Sequence, residues 1–210
     1  MSELFLNRRG LLSGGSAAAL LALAGCSTTL TDISGGSRTI GFDLWAGAPG
    51  AKFGDPVDVR IRSRRIHGPY EWRHPVTGEN ILVYVRENDE RRGKKVQYFT
   101  QRQDGSALAR VFDSRPGRPD RHFTGDAFFP IGRWTEDERQ KYPMTEHVAG
   151  VRRDFTVQLK VRDADLAWRG NKEAVRYDWL ARDVAGRKVF HERYVYAPGV
   201  GFLDFEDRMS

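Results

Sequence analysis

Long runs in which apolar and polar residues alternate restrict the fold of this 210-residue chain more than any other feature. The clearest run, residues 155–162, reads Phe-Thr-Val-Gln-Leu-Lys-Val-Arg. Successive side chains of a β-strand point to opposite faces, so this period of two predicts a strand with one buried face and one solvated face. Similar runs predict strands at 57–64, 96–101, 107–112, 175–181 and 189–196, and a short edge strand is expected at 200–205. The run at 81–85, Ile-Leu-Val-Tyr-Val, is apolar on both faces and predicts a central strand.

Short glycine-containing sequences separate several of these runs. Arg92-Gly93, Asp104-Gly105 and Ala185-Gly186-Arg187 each stand between two predicted strands. The Asp-Gly pair is a strong hairpin signal because both residues tolerate positive φ. Residues 70–113 are therefore expected to form an antiparallel meander. Many short antiparallel strands predict a mainly β domain, either a β-sandwich or a barrel-like structure.

One short helix is expected near residues 135–142. Thr135 can cap it, Glu138 stands three residues later and can reach back to the cap, and Pro143 would end it. The preceding residues 114–132, rich in Pro, Gly and Arg, are expected to form a long loop.

The segment 42–56 is interrupted by Gly, Ala and Pro, and no regular element is expected there. Its aromatic residues Phe42, Trp45 and Phe53 are expected to pin the segment onto the domain. Aromatic side chains bury large apolar areas, which favours such anchoring.

The first 29 residues carry export features. Arg8 and Arg9 precede an apolar run from Leu11 to Gly25 that is followed by a cysteine. A charged head, a short apolar middle and small residues before a cleavage point are typical of a secretory signal. The run is shorter than the roughly 20 residues of a transmembrane helix, so a membrane span is not expected.

The tetrapeptide Leu23-Ala24-Gly25-Cys26 resembles the lipobox of bacterial lipoprotein precursors. This resemblance covers residues 1–29 only. It implies that the Cys26 sulfur carries a diacylglyceryl group and that Cys26 becomes the N-terminus after cleavage. The mature domain resembles no family that we recognise.

The hexapeptide Asn7-Arg8-Arg9-Gly10-Leu11-Leu12 resembles a twin-arginine export signal, which implies that the domain crosses the membrane already folded. Ser27 follows the cysteine, where lipoproteins held at the inner membrane tend to carry aspartate. The resemblance therefore implies a lipid-anchored protein on the periplasmic face of a membrane. It slightly favours the outer membrane.

Three segments are predicted: residues 1–25 as a cleaved signal peptide, 26–41 as an acylated N-terminus with a flexible tether, and 42–210 as one β-rich periplasmic domain. Small polar residues and Gly35-Gly36 indicate the tether. Cys26 is the only cysteine, so no disulfide is expected. The net charge of +6 permits contact with anionic lipid heads or acidic glycans. Nucleic acid is not an expected partner of an exported lipoprotein.

Catalytic motifs are absent from the sequence. The predicted mature chain contains no Gly-x-Ser-x-Gly, and its five histidines are spread singly, so neither a serine nucleophile nor a metal or cofactor site is predicted. Acidic residues cluster at 87–90 and 204–207, and paired carboxylates could act on a glycan. A charge-balanced hairpin loop and an exposed edge strand explain these two clusters more simply.

Basic residues give the only suggestive surface. Arg60, Arg62 and Arg64 share one face of a predicted strand, and Arg115, Arg118 and Arg121 crowd the predicted loop. Arginine forks match phosphate and carboxylate groups, so these six residues could contact an anionic surface. Pairing with acidic residues on neighbouring strands is the competing interpretation. The tryptophans Trp72 and Trp179 are expected to face the core.

The sequence therefore predicts a membrane-anchored envelope lipoprotein that acts as a non-catalytic binding or interaction module for an anionic lipid surface or an envelope protein. The alternative is a periplasmic β-barrel that carries a lipid or small ligand, and a second alternative is an envelope glycan hydrolase. A filled core with an arginine-rich surface would favour the module. An apolar cavity open to solvent would favour the carrier, and two carboxylates facing each other in a cleft would favour the hydrolase.

Replacing Cys26 with Ser tests the anchor. We expect the variant to leave the membrane fraction or to accumulate as an uncleaved precursor, because serine cannot form the thioether to the lipid. Intact mass and membrane fractionation give the result. Mature, membrane-bound protein carrying Cys26→Ser would contradict the prediction.

Overall fold

The computed structural model describes residues 37–46 and 61–209. The predicted signal peptide, Cys26, most of the predicted tether, Phe53 and Arg60 lie outside these residues.

Thirteen strands and one short helix make up the described residues, which confirms the mainly β fold class. Within them, no helix has the length and apolar character needed to cross a membrane. In chain order the elements are β1 (Ser37–Ile40), α1 (Phe42–Ala46), β2 (Ile61–Arg73), β3 (Asn80–Glu90), β4 (Gly93–Gln101), β5 (Ala107–Ser114), β6 (Arg121–Thr124), β7 (Phe129–Pro130), β8 (Gly132–Thr135), β9 (Arg139–Val148), β10 (Val151–Trp168), β11 (Asn171–Asp183), β12 (Lys188–Ala197) and β13 (Gly201–Asp207).

Eleven of these strands form one sheet, in the order β13-β12-β11-β10-β9-β6-β5-β4-β3-β2, with β7 paired to β5 beside this path. β1 and β8 form a separate antiparallel pair. The predicted meander is confirmed, because β2, β3, β4 and β5 pair consecutively and antiparallel. Gly105 closes the turn between β4 and β5 with a φ of 68°, as the Asp-Gly signal predicts.

The sheet curls into a half-barrel, so its concave face becomes the inside of the domain. Side chains from the two end strands meet across this interior. The guanidinium carbon of Arg64 in β2 lies 4.4 Å from the centre of the Phe202 ring in β13. One strand further in on each side, Arg86 in β3 donates a hydrogen bond of 3.3 Å to the Tyr196 hydroxyl in β12.

Aromatic side chains fill the concave face. The helix α1 inserts Trp45, which is 1% exposed and lies 4.7 Å from Phe99 between ring centres. Phe128 and Phe129, from the segment before β8, are also buried. These side chains pack against the inward residues of β10, β11 and β12, including the fully buried Tyr177. Removal of this apolar surface from water is the main stabilising contribution to the fold.

The N-terminal part of the predicted organisation needs correction. The tether predicted to run to residue 41 ends earlier, because residues 37–40 form β1, which pairs with β8. Ile40 is 1% exposed, and burial of its side chain holds the strand in place. The segment expected to lack regular structure contains α1, whose Phe42 and Trp45 pack on the core as predicted.

The helix predicted near residues 135–142 is wrong. The two polar residues that suggested a cap do interact: the Thr135 amide donates a hydrogen bond of 2.8 Å to the Glu138 carboxylate. This contact closes a tight turn between β8 and β9, in which Asp137 has a φ of 63°. Beyond the turn, Tyr142 and Met144 are buried whereas Lys141 and Pro143 are exposed, which is the period of a strand. A capping pair and a hairpin turn use the same local hydrogen bonds.

The loop predicted at residues 114–132 is also partly wrong. Residues 121–124 form β6, which pairs with β5 on one side and β9 on the other. This four-residue strand therefore joins the meander β2–β5 to the second half of the sheet. Its one apolar residue among polar neighbours, Phe123, is fully buried, and a single anchor of this kind gives too weak a sequence signal to outweigh the surrounding Pro and Gly.

Gly125 offers a test of how tightly the segment after β6 is packed. Its φ is +74°, and an added Cβ would overlap the carbonyl oxygen of Pro143. We expect Gly125→Ala to reduce the free energy of unfolding by about 2 kcal/mol or more beyond the control. The control is Gly186→Ala, where φ is +77° but a Cβ would meet nothing within 4 Å. Urea titration measures both, and equal losses would contradict the packing described for this segment.

Candidate functional site

A cleft with a volume of about 590 Å³ opens between facing walls of the curled sheet. One wall comes from β5, β6 and the connection between them, the other comes from β10, β11 and β12, and β9 lies between the two walls in the sheet and adds two further lining residues. Its lining comprises five arginines (Arg110, Arg115, Arg118, Arg121, Arg153), two glutamates (Glu146, Glu192) and six apolar residues (Pro119, Val148, Phe155, Trp179, Val189, Phe190).

The register of the strands puts the cleft at one end of the sheet. Arg121 at the start of β6 pairs with Val148 at the end of β9. Because the strands are antiparallel, the connections that follow β5, β9 and β11 all lie at this same end. Arg118 belongs to the first of these connections, and Arg153 lies just after the second.

Arg110 is the most deeply placed arginine of the cleft, with its side chain only 6% exposed. Its guanidinium carbon lies 4.2 Å from the Phe123 ring centre and 5.4 Å from that of Trp179. A β-bulge determines which way Arg110 points. Two consecutive residues of β4 pair with Phe112 and Arg110 of β5. Val111 lies between these two and has no partner in β4, which makes it the additional residue of the bulge. The bulge brings Arg110 and Asp113 to the same face.

Asp113 is the centre of the ion pairs beneath the cleft, and its side chain is completely buried. Arg115 donates two hydrogen bonds of 3.1 Å, one to each carboxylate oxygen. The Gln97 amide donates a third, of 3.2 Å. The Nη1 atoms of Arg110 and Arg121 lie 3.9 Å and 3.8 Å from Oδ2. One carboxylate thus orients three of the five cleft arginines.

Neighbouring charges keep Asp113 ionised. Burial alone would raise the pKa of Asp113, but the positive charges of Lys95, Arg115 and Arg110 outweigh this effect and hold the pKa well below its usual range. Burial lowers the pKa of the Lys95 amine to about 7, although the charge of Asp113 opposes the change. Asp113 is therefore a fixed negative charge and not a proton donor at neutral pH.

A second buried carboxylate, Asp126, lies on the other side of Arg110. Arg110 Nε donates a hydrogen bond of 3.2 Å to Asp126, and the Ala127 amide donates another of 2.8 Å. Burial raises the pKa of Asp126, while the charge of Arg110 opposes this effect. Arg110 bridges Asp126 and Asp113, so its guanidinium is held by carboxylates on two sides.

Glu146 is the counter-charge on the β9 side of the cleft and is buried. It accepts hydrogen bonds from Arg121. Arg153 stands directly opposite Glu146 in the ladder between β9 and β10, with its Nη1 3.9 Å from the carboxylate. The second lining carboxylate, Glu192, accepts a hydrogen bond from the Tyr194 hydroxyl.

The arginines at the mouth of the cleft retain unused donors. The Arg153 side chain is 59% exposed and that of Arg115 is 37% exposed. Arg118 is exposed, and among the described residues its side chain has no hydrogen-bond or ion-pair partner. A guanidinium has five N–H donors, so several remain available to an anion that enters the cleft.

The wall from β10, β11 and β12 is mostly apolar, with Arg153 and Glu192 as its charged residues. Trp179 is 3% exposed and donates its indole N–H to the Ala127 carbonyl at 3.0 Å, which fixes the ring. Phe190 lies 6.1 Å from Trp179 between ring centres and is 39% exposed. Phe155 and Val189 pack against the core beside them. The cleft therefore combines a cationic wall with an aromatic wall.

The structure brings together half of the arginines proposed from the sequence. Arg115, Arg118 and Arg121 line the same cleft. The proposed strand face is wrong for Arg64, which is 7% exposed and donates a hydrogen bond of 2.8 Å to Asn88. Arg64 points inward because β2 faces the interior of the half-barrel at this position. Arg60 lies outside the described residues, and so does the side chain of Arg62.

The tryptophan predictions divide in the same way. Trp179 faces the core as predicted. Trp72 is half-buried and does not join the core cluster; it packs edge-on against Tyr98, with ring centres 5.3 Å apart. Its ring also stacks parallel to His122 at 6.4 Å. These side chains lie on the opposite face of the sheet from the cleft, because Arg121 and Phe123 point inward on either side of His122.

The two acidic clusters lie on different strands, and neither of them lines the cleft. Residues 87–90 belong to the end of β3 and not to a loop, and Glu87 lies near Arg65, His67 and Lys94. Residues 204–207 lie on β13, the end strand of the sheet, as predicted. In the described part of the chain, no group of three or more His, Cys, Asp or Glu side chains could hold a metal ion.

The chain matches no protein-family model, no curated protein and no solved structure.

Sequence reasoning missed Arg110, Arg153, Asp113 and Glu146. A signal for Arg110 was present in the sequence, because it is the one charged residue in the run Ala-Leu-Ala-Arg-Val-Phe at 107–112. A single charge in a buried strand requires a partner. The partner Asp113 could not be assigned, because residues three apart lie on opposite faces of a regular strand and only the bulge reverses this. Arg153 and Glu146 are paired by strand register, which the sequence alone does not give.

Asp113→Asn tests the central ion pairs. The change leaves the buried Arg110 and the partly buried Arg115 without their shared negative charge, so we expect the free energy of unfolding to fall by about 3 kcal/mol or more at pH 7. Asp120→Asn, at an exposed position in the same connection, is the control and should cost less than about 0.5 kcal/mol.

The difference between wild type and Asp113→Asn also depends on pH. Because the folded-state pKa of Asp113 is lowered, its stabilising effect is complete above the unfolded-state pKa of about 3.9. It is lost only as the pH falls towards the lower folded-state value. Urea titrations from pH 5 to pH 3, a range below the Lys95 pKa of about 7, should therefore show a difference that shrinks below pH 4. A constant difference over the whole range would contradict this assignment.

Proposed function

We propose that this chain is a membrane-anchored envelope lipoprotein whose β-rich domain is a non-catalytic binding module, and that the module binds an anionic group in the arginine-lined cleft. The anchor is the lipid on Cys26 that the lipobox-like sequence implies. The observation that carries the proposed binding role is the convergence of five arginines on one cleft.

The state of these arginines supports binding in preference to a purely structural role. Buried arginines in a structural network are normally matched by carboxylates. At the base of the cleft, carboxylates satisfy Arg110 and Arg121: Asp113, Asp126 and Glu146. At the mouth, Arg115, Arg118 and Arg153 keep exposed donors. Arg115 and Arg153 are already oriented by their counter-charges, so they lose little side-chain entropy on binding, which favours affinity.

The two other functions considered from the sequence have less support. A carrier with an apolar chamber inside the barrel requires an open interior, whereas Trp45, Phe128 and Phe129 fill the concave face. A glycan hydrolase requires a carboxyl group free to exchange a proton. The two glutamates in the cleft are instead engaged by Arg121 and Tyr194.

A double substitution at the mouth tests the anion-binding role. Arg118→Gln with Arg153→Gln removes two exposed cations, and we expect it to weaken the affinity for inorganic phosphate about tenfold or more, because hydrogen bonds to charged groups contribute roughly 1.5–3 kcal/mol each. Isothermal titration of the full chain in a non-ionic detergent, at fixed ionic strength, measures the affinity.

The matched control is Arg91→Gln with Arg92→Gln, which makes the same change in net charge at two exposed residues outside the cleft. This pair should leave the phosphate affinity within about twofold of wild type, since exposed charges at a distance are screened by salt. Equal losses of phosphate affinity in the two double variants would mean that only the overall charge of the protein matters. Absence of phosphate binding by the wild type would refute the proposed role.

A further inference from the structure

The geometry points to an amphipathic anion as the ligand of this cleft: a small molecule that carries one phosphate or carboxylate group on an apolar body. This inference rests on the proposed function, because it names the class of ligand that the same cleft binds.

The cationic wall fixes where the anionic group lies. Arg115, Arg118 and Arg121 come from β5, β6 and the connection between them, and Arg153 stands beside Glu146 at the start of β10. Of these residues, Arg115, Arg118 and Arg153 lie at the open end of the cleft, where their guanidinium donors remain accessible. A phosphate or carboxylate matches the planar fork of an arginine, so the head group of the ligand belongs at this end.

The aromatic wall indicates that the remainder of the ligand is apolar. Arg153 and Phe155 are two residues apart on one strand, so they lie on the same face of β10, about 7 Å apart. Next to Phe155, the cleft is lined by Trp179 and Phe190. A cleft built for inorganic phosphate alone would need donors on all sides. This one instead presents aromatic surface within a few ångströms of its cations, which only a ligand with an apolar part can cover.

The aromatic wall leaves part of its apolar surface open to the cleft. Phe190 is 39% exposed, although it packs against the buried Trp179. The cleft volume of about 590 Å³ lies within the range of small-molecule sites, roughly 300–1,000 Å³. A membrane surface is a poorer fit than a single molecule, because the apolar part of the lining includes Trp179, which is only 3% exposed and lies out of reach of lipids held in a bilayer plane.

The test compares three probes on the full chain in a non-ionic detergent at fixed ionic strength: inorganic phosphate, n-hexyl phosphate and n-hexanol. Titration calorimetry should give an affinity for hexyl phosphate at least about tenfold above that for phosphate, because the hexyl group leaves water for the aromatic wall. Hexanol, which lacks the anion, should bind more weakly than hexyl phosphate by at least about tenfold.

Phe190→Ser locates the apolar contact. We expect it to weaken hexyl phosphate binding about fivefold or more and to leave the affinity for inorganic phosphate unchanged. The matched control is Leu82→Ser, at an apolar side chain that is 61% exposed on β3 and outside the cleft, and it should change neither affinity.

The outcomes separate the inference from the function on which it rests. Equal affinity for phosphate and hexyl phosphate would overturn the amphipathic ligand and leave the anion-binding role intact. Binding of neither probe would overturn both. Binding of anionic-lipid vesicles without binding of hexyl phosphate would also overturn the inference, since it would make a membrane surface the partner.

Discussion

Neutralisation of the buried Asp113 carboxylate is the constraint on which the cleft depends. An isolated ion is costly in a protein interior, and it is tolerated there only when paired and hydrogen-bonded. Arg115 supplies a two-point contact from the end of the same strand, while Arg110 and Arg121 approach from the other sides. These partners come from β5 and β6, and β6 is the short strand that joins the two halves of the sheet. The ion pairs therefore form at the point where the two halves of the sheet are joined.

The curl of the sheet distributes polar and apolar chemistry over the interior. On the β3–β5 side, Arg86, Gln97 and Asp113 form a chain of hydrogen bonds from strand to strand. On the β10–β12 side the inward residues are mostly aromatic or aliphatic, with Arg153 and Glu192 as the charged residues that line the cleft. The half-barrel brings the two sides face to face, and the cleft lies at one end of the sheet where they meet. A cationic surface opposite an aromatic one is thus a consequence of the fold and not of a single motif.

Regular features of this fold could be predicted from the sequence, whereas features that depend on tertiary contacts could not. Period-two alternation located β4, β5, β10, β11 and β12, because each of these strands has one face on the core, and a continuous apolar run located β3. The Thr135/Glu138 pair led to the wrong prediction of a helix near residues 135–142, because the same side chain–backbone hydrogen bond closes a hairpin turn as readily as it caps a helix. Of the arginines, Arg115, Arg118 and Arg121 could be grouped by proximity in sequence. Arg110 required the bulge at Val111, and Arg153 required the register between β9 and β10. Strand register and bulges are set by packing across the whole sheet, which a local pattern does not encode.

The central claim is that the arginines at the mouth of the cleft bind an anion directly. The most direct measurement is the NMR signal of each arginine side-chain Nε–Hε group during titration of the full chain with inorganic phosphate at constant ionic strength. The structure predicts saturable shifts for Arg115, Arg118 and Arg153, with one common affinity, and no saturable shift for the exposed Arg91 and Arg92. Shifts of similar size at all five residues, or no saturation at any of them, would contradict the assignment of this cleft as the binding site.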